Sequence, residues 1–478
     1  MSYLVNKNET PLKLDKEFEK WIRIEEDKQG NLKYILQPMK LSAYLKEHSN
    51  FIFVRNEATQ RPFTYCYLDG YYQLFSDEEI MAFIKRYIPQ DLISSREIRE
   101  ILFDLKTQLK FVDFDKLNED EDLINFEDGF LNVKTGEFFD HTPDILSTVQ
   151  IPAKYKDIQM SDGNAPVFDK YMETLTDGNA EVYSLLLQCL GLAISNIPCY
   201  KTKKSLFLVG NGDTGKSQIK KLAEELIGSQ NVSVVDLKKV NEKFGAASLY
   251  QKRLSGCNDM SYQRVTDMSI FKQLTGGDKI EIEFKNKDTF TFTYKGFLWF
   301  NCNKLPRFGG DTGKWVYDRI MPVYCNNVIP PEKRDPELFN KMWKEKNAIL
   351  KKALDALQIV IGNGYKFIEP STMVQAREEY EVDNSTFLTF MEECCEIRPE
   401  VMASFRLRRS TFRQAYDQYV KINCNNFGKI STYDMNRILK EKYDENYVKS
   451  NGKWFMERII LTPEAKEELN IYENNYYD

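Results

Sequence analysis

The stretch from Ser205 to Gly228 restricts the possible folds of this chain more than any other. An apolar run, Ser205-Leu-Phe-Leu-Val209, leads into Gly210-Asn-Gly-Asp-Thr-Gly215-Lys216-Ser217. An amphipathic segment, 218–227, follows and is stopped by Gly228. The eight central residues fit GxxxxGK[ST] at every fixed position. A buried strand, a glycine-rich loop and a helix in that order form the start of an α/β domain. The glycines let backbone N–H groups wrap a triphosphate, and the helix N-terminus adds its positive end. Gly210, Asn211, Gly212, Asp213, Thr214 and Gly215 are then the cradle. Lys216 is placed to reach the β- and γ-phosphates, and Ser217 to hold Mg²⁺. The expectation is a protein that binds and hydrolyses a nucleoside triphosphate with Mg²⁺.

At 478 residues the chain is too long for one core, and about three domains are expected. No apolar run reaches the roughly 18 residues of a membrane span, so no membrane partner is expected. The first ten residues lack a signal-peptide core, which points to the cytoplasm. Nine scattered cysteines contain no CxxC pair and read as reduced thiols. Cys394-Cys395 has no partner pair or histidine at metal-ligand spacing, and with only His48 and His141 present a histidine-based metal site or triad is not expected. The net charge of −6 gives no global sign of nucleic-acid binding. Between Arg398 and Arg458, however, 13 basic residues face 7 acidic ones, which makes a local basic region.

Patterning divides the chain into a segment 1–50 without assignment, a small α+β domain at 51–160, and a helical connector at 161–202. The ATPase domain follows at 203–330, then a helical region and linker at 331–370, and a small C-terminal domain at 371–478. Strands are expected at Phe51–Val54, Phe63–Leu68 and Tyr71–Phe75, with a turn at Asp69-Gly70. Ser76-Asp-Glu-Glu79 reads as a capping box opening a helix over 80–87, and another helix is expected over 95–109. Leu123-Ile-Asn-Phe126 and 130–133 form a second small β element, and 168–194 reads as one or two helices.

Within 203–330, Leu254-Ser-Gly-Cys-Asn258-Asp259 reads as a strand ending in a carboxylate that can coordinate Mg²⁺ and orient the attacking water; the competing reading is a loop. Phe271-Lys-Gln-Leu-Thr-Gly-Gly-Asp278 precedes two alternating runs, 279–284 and 289–294. Their four-residue polar tip carries Lys285, Asn286 and Lys287, a strong hairpin signal. An apolar strand then leads to Asn301-Cys-Asn303-Lys-Leu-Pro306, where an amide beside the P-loop strand can bond the γ-phosphate or attacking water. Arg319 follows in Trp315-Val-Tyr-Asp-Arg319.

This order of motifs resembles superfamily 3 (AAA+) helicases, most nearly the poxvirus and phage primase-helicase group, which includes replication initiators of phages and staphylococcal pathogenicity islands. Upstream, Asn125-Phe-Glu-Asp-Gly-Phe-Leu-Asn-Val-Lys-Thr-Gly-Glu137 is similar to the signature of the domain preceding the ATPase in that group, and Tyr67-Leu-Asp-Gly-Tyr-Tyr72 to its earlier strand pair. The resemblance runs from Phe63 to Val328. It implies that Lys216 and Ser217 are the P-loop pair, Asp259 the Walker B acid, Asn303 sensor 1, Arg319 an arginine finger acting in trans, and Lys285 a hairpin lysine gripping single-stranded DNA. It further implies a homo-hexameric ring with the strand in its central channel. Asn258-Asp259 stands where many members have Asp-Glu, which leaves open which residue polarises the water. Asp318-Arg319 stands where many have Arg-Arg, so Arg307 and Lys314 remain further candidates for a trans contact.

Too few residues precede Phe63 for a polymerising domain, so no primase activity is expected, and a separate primase is a candidate partner. At the other end, helices over 411–421 and 431–442 and a hairpin turning at Asn451-Gly452 follow the winged-helix order. Ser431 is a suitable N-cap, and Arg437 and Lys440 fall on the second helix, with Lys449 and Lys453 flanking the wing. The sequence reading is a DNA helicase and replication initiator with a C-terminal domain that binds duplex origin DNA. The alternatives are an initiator that uses ATP only to oligomerise on duplex DNA, and a remodelling ATPase that does not unwind.

Overall fold

Ser205–Val209 is buried along its whole length because it lies inside a five-stranded sheet. The strand order is Val232–Val234, Leu254–Gly256, Phe297–Cys302, Ser205–Val209, Ile320–Tyr324. All four pairings are parallel. A parallel sheet is covered on both faces, so its inner strands lose the alternation of a half-buried strand; all six residues of Phe297–Cys302 are buried. Register places Ser205 opposite Ile320 and Val209 opposite Tyr324. The P-loop, Asn258-Asp259 and Asn303 therefore leave the sheet at its carboxyl edge. The hairpin Lys279–Glu283/Thr289–Thr293 and Arg319 enter it at the amino edge. This polarity separates the two kinds of candidate residue.

The computed structural model describes residues 2–5, 16–55, 63–108, 110–241, 245–260, 262, 264–265, 267–283, 289–308, 314–398, 406–424 and 428–471. The hairpin tip with Lys285, Asn286 and Lys287 lies outside the described residues.

The architecture is mixed α/β with several apolar cores. Residues 16–50, which the sequence left unassigned, are part of the first core. Trp21, Tyr34, Leu36, Leu41 and Leu45 pack there with Ile80, Ile84, Ile101 and Leu105. A four-stranded sheet, ordered Tyr71–Phe75, Phe63–Leu68, Phe51–Val54, Lys110–Val112, divides this core from the large central one. Side-chain alternation explains the division: Phe51 and Cys66 face the first core, while Ile52, Val54, Phe63 and Tyr65 face the second. A boundary at residue 51 thus cuts through one packed unit. The capping box is formed as expected. Ser76 Oγ accepts from Glu79 N at 3.2 Å, and the Glu79 carboxylate accepts from Ser76 N at 2.7 Å, opening the helix Asp77–Lys85.

The stretch 364–371 is a packed strap rather than a free linker. Phe367 is buried, Ile368 N donates to Gln188 Oε1 at 3.0 Å, and Glu369 bonds Arg377 and Lys204. The helix Ser371–Asn384 places Met373 and Tyr380 in the central core. A separate C-terminal core begins only at Phe387, so the change of core falls later than residue 371. That unit contains the helices Arg409–Cys424 and Thr432–Tyr443, then the strands Tyr447–Ser450 and Lys453–Met456. Asn451 (φ +47°) and Gly452 (φ +73°) make their two-residue turn, the backbone a tight hairpin requires. Among the described residues, no helix is long and apolar enough to cross a membrane.

Candidate nucleotide-binding site

The loop after Val209 has its shape because two glycines permit it. A Cβ on Gly210 would stand 2.2 Å from Cys325 O, so only glycine lets the chain pass the end of the neighbouring strand. Gly215 has φ +95° and caps the helix Lys216–Ile227 in the left-handed region. Its carbonyl accepts from Tyr171 Oη at 2.8 Å. Tyr171 lies on the helix Pro166–Leu175, whose first N–H groups, on Val167 and Phe168, donate to the Glu345 carboxylate. The loop is thus pinned by a helix that precedes the P-loop strand in the chain and shares its core.

Lys216 is buried and folded back on its loop. Its ammonium donates to Gly210 O at 2.7 Å, Asn211 O at 2.6 Å and Thr214 Oγ1 at 3.1 Å. Burial draws its pKa down, and Cys325, Cys302 and Asp259 nearby pull it back up. Ser217 is exposed in the first helical turn. At the loop tip, Asp213 (φ +64°) pairs with Arg334 at 2.9 Å, and its carbonyl accepts from Ile329 N. Arg334 belongs to no motif and could not be picked out beforehand.

Asp259 lies three residues beyond Leu254–Gly256 and is exposed. Asn303, one residue beyond Phe297–Cys302, is exposed on the same edge. Asn301, which sequence reasoning passed over, is fully buried. Its Nδ2 donates to Lys216 O at 2.9 Å and Asn258 Oδ1 at 3.2 Å, and its Oδ1 accepts from Trp299 Nε1 at 3.1 Å. It therefore joins the P-loop helix to the segment carrying Asp259. The available signal was a lone amide inside an apolar strand.

Arg319 is not brought to this site. From Ile320 to Tyr324 the strand climbs roughly 13 Å, so Arg319 and Lys216 occupy opposite edges of the sheet. Its guanidinium donates to Lys272 O at 2.8 Å and Thr275 Oγ1 at 2.6 Å. Both acceptors lie on the helix Ser269–Gly276, which leads into the hairpin. Arg437 and Lys440 are exposed on Thr432–Tyr443, far along the chain in the C-terminal unit, and Arg437 pairs with Asp434 at 3.1 Å. All nine cysteines are free thiols.

Among the described residues, no cluster of three or more His, Cys, Asp or Glu is arranged for a metal. Mg²⁺ at a triphosphate needs only one or two side chains, because phosphate oxygens and waters complete its shell. Ser217 and Asp259, on one edge, fit that smaller requirement. The arrangement suits a polyphosphate: a helix N-terminus, a lysine, a hydroxyl, and a carboxylate and amide opposite.

The Asn125–Glu137 signature is used for structure. Buried Asn125 donates to Gly70 O at 3.0 Å and accepts from His141. Asn132 Oδ1 accepts from Lys134 N and Thr135 N. Asp128 caps the helix Tyr155–Met160 through Tyr155 N and Lys156 N.

Comparison with known proteins places two family matches on the chain. Residues 2–177 match the family described as D5 N terminal like. Residues 208–319, from the P-loop strand to Arg319, match a family of unknown function (DUF5906). A "putative helicase" of Acanthamoeba polyphaga mimivirus is 25% identical over 242 residues, which cover 48% of this chain. The chain spans about a quarter of that relative, 24% of its length. The A form apo structure of the NrS-1 C terminal region superposes with a TM-score of 0.49 at 12% identity, over 88% of this chain and 98% of that one. A second apo structure of that region gives 0.45 at 12% identity, over 89% and 99%. The chain is thus similar over residues 2–177 to the D5 N terminal like family, and over about half its length to a viral protein named as a helicase.

Proposed function

We propose that this chain is an ATP-driven DNA helicase that initiates replication of a phage or mobile element. The observation that carries the reading is the convergence of Lys216, Ser217, Asp259 and Asn303 on the carboxyl edge of one parallel sheet, the edge where α/β sheets bind their ligands. On this reading Lys216 exchanges its bonds to Gly210 O and Asn211 O for β- and γ-phosphate oxygens. Ser217 and Asp259 hold Mg²⁺, which when bound neutralises the phosphate oxygens. Asn303 and Asp259 orient a water for in-line attack on the γ-phosphorus, breaking its bond to the bridging oxygen and leaving ADP and inorganic phosphate. Asn301 keeps the two halves in register.

Arg319 cannot serve its own triphosphate across the sheet. That placement is consistent with a role at a neighbour's site in a closed ring, here taken as a homo-hexamer. In such a ring Lys285, Asn286 and Lys287 face single-stranded DNA. Arg319 bonds the helix that leads into the hairpin, which supports a link between the trans contact and hairpin position. In the C-terminal unit, exposed Arg437 and Lys440 beside a hairpin carrying Lys449 and Lys453 support binding of duplex origin DNA.

The direct test is ATP turnover with and without single-stranded DNA. Turnover that needs Mg²⁺, rises with DNA and disappears in Lys216→Ala supports the reading. Turnover unaffected by Lys216→Ala overturns it.

A further inference from the structure

Arg253 is a buried cation that the proposed motor chemistry does not use. It precedes Leu254 at the amino edge of the sheet and is 3% exposed. Its Nη1 donates to Lys295 O and its Nη2 to Ile197 O, both at 3.1 Å; Nε has no partner among the described residues. The ionisable groups acting on it are the Tyr294 phenol and the Cys199 thiol, which carry no charge at neutral pH, and burial pulls its pKa to about 10. A buried charge without a counter-ion is costly.

Beside it opens a cleft of about 390 Å³, walled by residues 114–118, by the segment before Leu254 and by the base of the hairpin. Lys252 and Lys295 line it as well. Burial lowers the pKa of both, and they bond only carbonyls, Gln230 O and Asn118 O, among the described residues. Glu121, Asp115 and Glu119 act on Lys295 without pairing with it; at the rim Asp115 is taken by Lys279 at 3.2 Å. The rings of Tyr250 and Phe292 also line the cleft, edge to face with centroids 5.4 Å apart.

Cations and aromatic rings together are the chemistry that recognises a nucleotide, and the volume falls within the roughly 300–1,000 Å³ of small-molecule sites. We propose that this cleft binds one nucleoside monophosphate unit, its phosphate toward Lys252, Arg253 and Lys295 and its base against Tyr250 and Phe292. An occupant touches both the 114–118 segment and the hairpin base. The site is independent of the P-loop and does not rest on the motor reading.

The test is calorimetric titration of the full chain with TMP. The expected result is one TMP per chain, retained in Lys216→Ala and weakened about tenfold or more in Lys295→Gln and Arg253→Gln. Lys295→Gln removes the charge while leaving a donor for Asn118 O, so it covers the case in which Arg253→Gln does not fold. Inorganic phosphate should compete at least about tenfold more weakly than TMP. Displacement of TMP by a short oligothymidylate would identify the unit as part of a strand, and its absence a free nucleotide; both support the site. No binding at about 1 mM TMP, loss of binding in Lys216→Ala, equal binding in Lys295→Gln, or phosphate competing as well as TMP would overturn it.

Discussion

Replacing Asn301 with alanine removes three hydrogen bonds at a fully buried point between the P-loop helix and the strand below it. Asn258 is exposed and recovers water, so its share of the loss is small. Lys216 O and Trp299 Nε1 lose their buried partner, and each such loss costs about 1–3 kcal/mol. With the small void left by the shortened side chain, the total is about 3–4 kcal/mol. For a large domain this lowers Tm by on the order of 6 °C, readable by thermal denaturation. Asn301→Asp keeps an acceptor for Trp299 but turns a carboxylate toward Lys216 O and Asn258 Oδ1, and should cost at least as much. Because Lys216 sits on the tethered turn, both variants should also raise the KM for ATP. A Tm within about 1 °C of wild type together with an unchanged KM would refute the tether.

Arg319→Ala should bind ATP but turn it over at least about 10³-fold more slowly. Mixing it with Lys216→Ala should recover some activity, since a mixed ring contains sites with one intact half from each; no recovery contradicts a shared site. Glu369 is held down to about 2, chiefly by Arg377 and then by Lys204, against burial. Its contribution to stability is therefore complete above its ordinary value near 4.5 and lost as pH falls through about 2. Arg377→Gln should move acid unfolding, followed by intrinsic fluorescence, to higher pH, and an unshifted profile refutes the strap. Removal of residues 385–478, the unit with its own core, should spare ATP turnover and abolish sequence-specific duplex binding in a gel-shift assay; retained binding would sink the C-terminal assignment.

The P-loop strand and its helix were legible because their rules are local: a buried run, glycines where backbone must turn, and a helix stop at Gly228. The capping box at Ser76 and the Asn451-Gly452 turn were legible for the same reason. Asn301 was not, because the strand Phe297–Cys302 is buried on both faces and loses the alternation that would mark an inward amide. The strap at 364–371 was missed because its attachments, Gln188, Lys204 and Arg377, are distant in sequence except for the last. Trp21, Tyr34 and Leu41 lie among charged neighbours, so their shared core emerges only when the strands around them pair. The opposite placement of Arg319 and Lys216 follows from parallel register, which no motif states.

The central claim is that ATP turnover at Lys216 drives strand separation. Strand displacement on forked DNA, measured with wild type and Lys216→Ala in parallel, tests it most directly. The account predicts ATP-dependent displacement by wild type and none by the variant. A wild-type protein that hydrolyses ATP yet leaves the fork paired would contradict it.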